Sequence, residues 1–328
     1  PTDDNPPTAA YTAAEPKEGP TLSSQLFQQF VAKAFQSDYD KVPMEKLTHV
    51  TYFRHYWEAE CDMIDYALDG GEIQTMELPG DISYNYGDLN CFPGLTSLKL
   101  EMGSLYEENA LEKLVNLEEI ETSNTPEELM KILPNPEKIT SLGIGGDGDS
   151  LIGIDGFKNV TNLVIEAGDM TDISALSSLT SLQSLDIQRG DNISDFGVLA
   201  SLGNITSLKI SSEGLKTVDF ISKMPGLSVL TIDGSKVLDF SPLSSAPALT
   251  ELILTDNTKA KGYEAVGDLT NLTTLTIDSY YGQKMPKMSK LKGLTNLTIG
   301  GSGVEGISFL KSLKGLKELS ISGCDCSE

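Results

Sequence analysis

A single spacing constrains this chain more than any other feature. An apolar-x-x-apolar-x-apolar signature begins at Ile73, Leu95, Leu117, Ile139, Val160 and Leu182, and again at Ile205, Leu227, Leu249, Leu272, Leu294 and Leu316. Successive starts lie 21 to 23 residues apart. Within each unit the first anchors alternate, as in a strand with one buried face. The later ones, such as Val237, Phe240, Leu243 and Ala246, fall three apart, as a short 3₁₀ or extended segment requires. One unit makes a strand, a corner, a return segment and a second corner. It is too small to hold a core alone, so about twelve units must stack around a continuous apolar column.

The return segments carry a further pattern. Met170-Thr-Asp-Ile-Ser-Ala-Leu176, Ile193-Ser-Asp-Phe-Gly-Val-Leu199 and Val237-Leu-Asp-Phe-Ser-Pro-Leu243 each place Asp one residue before an apolar anchor. Together with the preceding strands they resemble the 22-residue leucine-rich repeats of the bacterial internalin family. The resemblance implies an α/β fold: a right-handed leucine-rich repeat solenoid with a parallel β-sheet on its concave face, 3₁₀ and extended segments on its convex face, and a helical N-terminal cap. Asp172, Asp195 and Asp239 are expected to accept backbone N–H groups in the return. The asparagine that the family places three residues after the last strand anchor is kept only at Asn257, which predicts less regular corners.

Residues 1–20 hold five prolines and no apolar periodicity. They read as a disordered linker, expected to be the spacer left after removal of a secretory signal or lipid anchor. Residues 21–72 read as the N-terminal cap, and 73–328 as the solenoid. Leu22, Leu26, Phe27, Phe30, Val31, Ala34 and Phe35 predict an amphipathic helix of roughly four turns, capped by Thr21 or Ser23. Leu47, Val50 and Tyr52 are spaced like a first strand, and Met63 to Leu68 read as a short helix ending at Asp69-Gly70-Gly71. Residues 52–92 gather Tyr56, Trp57 and six further aromatics, either as cap core or as a binding patch.

Charge excludes several functions. The formal net charge is −24, and Arg54 and Arg189 are the only arginines. Nucleic acid and anionic membrane surfaces both require clustered basic residues. No apolar run reaches the roughly 18–20 residues of a membrane span. The chemistry of an enzyme is hard to find: His49 and His55 are the only histidines, and neither a Gly-x-Ser-x-Gly motif nor a phosphate loop is present. Gly145–Ser150 is acidic but falls at a repeat corner and lacks a calcium loop's ligand spacing. The sequence therefore predicts a protein that is not an enzyme and needs no cofactor or metal. The sequons at Asn159, Asn192, Asn204, Asn271 and Asn296 mostly overlap the strand consensus, so the repeat itself accounts for them. Cys324 and Cys326 read as free thiols.

The remaining surface is the concave face, whose outward residues alternate with the strand anchors. With strands spaced about 4.8 Å apart, it extends roughly 55 Å. Candidate partner-binding residues there are Lys99, Glu121, Glu166, Asp186, Gln188 and Lys209, followed by Asp233, Glu251, Asp278, Tyr280 and Tyr281; Tyr56 and Trp57 in the cap complete the set. The face is acidic and rich in Ser and Thr, which suits a protein partner, preferably a basic one, or a polyhydroxy ligand. The principal expectation is a non-enzymatic binding protein, secreted or anchored at a bacterial cell surface. The alternatives are an intracellular scaffold or regulator that binds an enzyme, and a carbohydrate-binding surface protein. A monomer is expected, with weak end-to-end association through an uncovered last strand.

Overall fold

The computed structural model describes residues 19–323, except 81, 102, 104, 107–108, 146–149, 258–259, 279–285 and 302–307. The predicted linker (but for its last two positions), most of the Gly145–Ser150 corner, Tyr280, Tyr281, Cys324 and Cys326 lie outside the described residues.

One sheet runs through the molecule. Its first three strands are β1 (Val50–Glu58), β2 (Cys61–Leu68) and β3 (Gln74–Pro79). Then come β4 (Ser97–Leu100), β5 (Glu119–Thr122), β6 (Ser141–Ile144), β7 (Asn162–Glu166) and β8 (Ser184–Gln188). The series continues with β9 (Ser207–Ser211), β10 (Val229–Asp233) and β11 (Glu251–Thr255). It ends in β12 (Thr274–Ile277), β13 (Asn296–Ile299) and β14 (Glu318–Ile321). From β4 to β14 every strand pairs in parallel with its sequence neighbour, and β1 joins β4 in parallel. The order at the other end is β4-β1-β2-β3, with β2 and β3 antiparallel. Short 3₁₀ turns such as Ser174–Ser178, Gly197–Ser201 and Ser241–Ser245 form the opposite wall. The predicted strand is thus observed from Leu95 onward and the 3₁₀ return in each turn from β6 to β13, whereas the return after β5 carries a short α-helix, Pro126–Ile132.

The column between the two walls is filled by the repeat anchors. Leu208, Ile210, Leu215, Leu227, Leu230 and Ile232 are all fully buried, each stabilising the fold by about 1.5–3 kcal/mol. Asp172, Asp195 and Asp239 accept the backbone N–H of Ser174, Gly197 and Ser241 at 2.8, 2.7 and 2.8 Å. The Ser174 and Ser241 hydrogen bonds, backbone first, hold the Asp172 and Asp239 carboxyls below their ordinary range. At the corners, buried Asn257 donates to Ile232 O and Thr255 O at 3.0 and 2.7 Å and accepts from Ser235. Ser212 does the same work with a hydroxyl, donating to Gly190 O.

A second polar column explains the sequons. Thr161, Thr206 and Thr273 donate their hydroxyls to Thr140 O, Gln183 O and Thr250 O in the preceding turn. Two residues earlier, Asn159, Asn204 and Asn271 donate to Glu137 O, Thr180 O and Pro247 O at 2.8–2.9 Å. In these three units Asn-x-Thr is a pair of struts between turns.

The cap departs from the expectation in three places. First, the helix α1 spans Gln25–Ala34 and is shorter than four turns; neither Thr21 nor Ser23 caps it. The Asp88 carboxylate, brought from 64 residues away, instead accepts Ser23 N, Ser24 N and both hydroxyls at 2.9–3.0 Å. Second, Met63 to Leu68 are strand, not helix: β2 returns from β1 through Ala59 and Glu60, whose φ values of 51° and 67° make a two-residue hairpin turn. Third, the unit counted from Ile73 is not a parallel turn, because β3 is antiparallel and Ile73 is exposed. The first parallel strand is β1, in the register Phe53↔Leu98 and His55↔Leu100. Its inward residues are therefore Val50, Phe53 and His55, not Leu47, Val50 and Tyr52.

Candidate functional site

Parallel pairing without register shifts lines the outward residues up in rows across the sheet. The central row begins Thr75, Asp65, Arg54, Lys99, Glu121 and Gly143. It continues through Val164, Asp186, Lys209 and Thr231, then Ile253, Thr276, Thr298 and Ser320. Glu251 lies in the row on one side. Glu166, Gln188, Asp233 and Thr255 lie in the row on the other. The sheet thus brings together most of the residues predicted from sequence, with Asp278 just past β12.

Charge on this face is unevenly distributed and largely paired. Lys99 Nζ reaches Glu119 at 2.8 Å and Glu121 at 3.6 Å. Partial burial opposes protonation of Lys99, but the Glu119 hydrogen bond and the two carboxylate charges outweigh it and hold its pKa above the ordinary value. Glu119 mirrors this: burial would raise its carboxyl, and the hydrogen bonds from Lys99 and Ser97 bring it below the ordinary range. Arg189 pairs with Glu166 at 2.7 Å, and Lys209 with Asp186 at 3.2 Å. Gln188 donates to Asp186 at 3.0 Å, while Asp186 Oδ1 is buried without a partner among the described residues. Arg54 joins Glu101 and Asp65, and its guanidinium sits 4.4 Å from the centre of the Tyr56 ring. From β10 onward the central row is neutral, and Asp233 accepts the Thr255 hydroxyl. The face thus divides into a half with cross-strand ion pairs and a half whose central row is rich in threonine, flanked by Asp233 and Glu251.

The charged half contains a depression. Gly143 on β6 and Gly145 just past its end carry no side chains, and the carboxylate arms of the flanking strands lean over them. A Cβ on Gly143 would lie 2.5 Å from Glu121 Cγ, and one on Gly145 would lie 2.6 Å from Glu166 Cβ. The cavity so formed measures about 360 Å³ and is lined by Glu101, Glu121, Ser123, Val164, Glu166 and Gln188 around the two glycines.

The aromatic cap divides into core and surface. Phe27, Phe30, Phe53, Phe92 and Tyr66 pack ring against ring at 5.2–5.7 Å and are buried. Trp57 and Tyr84 remain 41% and 49% exposed. His55 occupies a position that is apolar in the repeats. Nδ1 lies 2.9 Å from Tyr86 Oη and Nε2 lies 2.8 Å from Asp62 Oδ1, with all three residues buried. This histidine is sealed into the fold. Among the described residues no group of three potential metal ligands converges, and no helix is long and apolar enough to cross a membrane.

Sequence reasoning missed Arg54, Glu101 and Arg189 as members of this surface. The signal for Arg54 was available: with Val50, Phe53 and His55 as inward anchors, Arg54 falls between two of them and faces out.

No protein-family model and no curated protein matches the chain. Among solved structures it is similar to an internalin (inlF) from Listeria monocytogenes, at 20% identity and a TM-score of 0.65, over 95% of this chain and 93% of that one. Internalin C2 (inlC2) from the same organism matches at 18% identity and a TM-score of 0.36, over 93% and 97% of the two chains. The first likeness spans nearly the whole of both molecules and agrees with the repeat signature, the parallel sheet and the 3₁₀ returns: the fold is the leucine-rich repeat solenoid of an internalin.

Proposed function

We propose that this protein is a non-enzymatic binding module that engages a protein partner with its concave face. The observation that carries this reading is the in-register concave surface, where three rows of outward side chains cross the parallel strands without a bulge. Such a face is rigid before binding, so little conformational entropy is lost when a partner docks. The buried environment of His55 also favours binding over catalysis. The Pro-rich lead and the internalin-type fold support a secreted or surface-anchored location, and fold alone does not specify a partner.

Paired variants test the reading. Thr231→Arg with Thr276→Arg alters the concave face, and Ala200→Arg with Ser245→Arg alters the opposite wall. A protein captured from host or bacterial surface fractions by the unmodified chain should be lost with the first pair and kept with the second. Equal retention by both pairs would exclude the concave face as the binding surface.

A further inference from the structure

We infer that the depression over β6 is the anchor point for a basic side chain, an arginine or lysine, presented by the protein partner. The inference rests on the concave face being the binding surface, and it names where on that face a partner's cation is held.

The geometry starts from the two glycines. Any side chain at Gly143 or Gly145 would collide with Glu121 or Glu166, so their absence lets both arms close over the same strand. The result is a walled cavity in an otherwise even sheet, and its volume of about 360 Å³ falls within the roughly 300–1,000 Å³ of ligand pockets. Its floor is strand backbone and Val164, which suits the methylene stem of a long side chain.

Charge selects the occupant. Three carboxylates line the cavity, and no Lys or Arg is among its lining residues. Glu121 Oε2, Glu166 Oε1 and Glu101 Oε1 are held by Lys99, Arg189 and Arg54 from outside. The second oxygen of each has no partner among the described residues. Counting the adjoining Asp65 and Glu119, five carboxylates stand against these three cations, an excess of two negative charges. A metal ion is not the occupant favoured, because among the described residues these carboxylates do not converge into a set of ligands. A guanidinium does fit a wide, carboxylate-walled site, since its planar fork of five donors can span separate acceptors. The protein shows this chemistry itself: both of its arginines are already held by carboxylates of this cavity.

The test uses the full chain and a defined probe. The backbone amides of Gly143 and Gly145 are followed by NMR while N-acetyl-Gly-Arg-Gly-amide is added, with the isosteric citrulline peptide as neutral control. Saturable shifts at Gly143 and Gly145 are expected with the arginine peptide, with at least tenfold weaker binding of the citrulline peptide. Glu121→Gln combined with Glu166→Gln should reduce the arginine response about tenfold; both changes keep side-chain shape, and an unchanged thermal midpoint verifies folding. Absence of shifts at these glycines, or equal response to citrulline, overturns the anchor site. The same double variant also separates this inference from the wider one. If it retains a partner that Thr231→Arg with Thr276→Arg loses, the anchor site fails while the concave reading stands. If neither variant affects capture, the concave reading fails.

Discussion

His55 Nε2 lies 2.8 Å from Asp62 Oδ1 inside the β1–β2 hairpin, at the position where the other turns, apart from Thr122 on β5, place leucine or isoleucine. One partner of a buried hydrogen bond cannot be removed singly without leaving the other's polar group unsatisfied. His55→Leu should therefore destabilise the protein by about 1–3 kcal/mol. His55→Leu with Asp62→Leu should recover most of that loss. Urea denaturation of the two variants measures both, and a neutral single variant would contradict the pairing.

Asp88 joins two parts of the cap that are far apart in sequence. Its carboxylate accepts the amides of Ser23 and of the N-cap Ser24 immediately before α1, where the helix dipole also favours negative charge. Asp88→Ala should cost about 2–3 kcal/mol, the range for a buried hydrogen bond to a charged group. Amide exchange should rise first in Gln25–Ala34, well before the strands from β7 onward. Exchange that rises uniformly would show that the cap and solenoid unfold as one unit.

Tyr263 gives a pH signature. Burial pushes its phenol up to about 12, and Oη donates to Asn257 O at 3.2 Å. A raised folded-state pKa means the contribution is complete below the unfolded value of about 10. It is lost as pH rises from there through about 12. Tyr263→Phe should lower stability at neutral pH by about 1 kcal/mol and flatten the decline between these limits. Thermal melts across that alkaline window report both effects.

Leu230 is fully buried between Leu208 and Leu252, its register partners on β9 and β11. Leu230→Ala should cost about 2–5 kcal/mol. In a stack where each turn touches only its neighbours, the damage should spread to adjacent turns before distant ones. Exchange protection in β9–β11 should therefore fall more than in β4–β6.

The solenoid was legible because its information is periodic: a strand anchor misread in one turn is corrected by the next. The cap offers no such redundancy. The β1–β2 turn is Ala59-Glu60, which lacks the Asn-Gly or Asp-Gly signal of a tight hairpin. The inward face of β2 begins with Asp62, whose burial makes sense only once His55 is known to oppose it. Those two residues hide a strand and displace the frame by three, which also hid Arg54. On the concave face, sequence placed Glu121 between two anchors and Glu166 directly after one, both facing outward. It could not show that Gly143 on the strand between them, with Gly145 just past it, leaves room for both arms, because that depends on lateral register.

The strut hydroxyls all point the same way. Thr161 reaches back to Thr140, Thr206 to Gln183, Ser228 to Thr206 and Thr250 to Ser228. The backbone amides at the same positions also donate to the earlier turn. At the far end of β7 to β10 the direction reverses: the amides of Ala167, Gly190, Ser212 and Gly234 donate to Gln188 O, Ser211 O, Asp233 O and Thr255 O of the turn that follows. Each inner turn therefore offers a neighbour donors at one end of the strand and acceptors at the other. Duplication or loss of a whole turn during evolution would leave both sets matched, which gives a chain of this design a simple way to change its length.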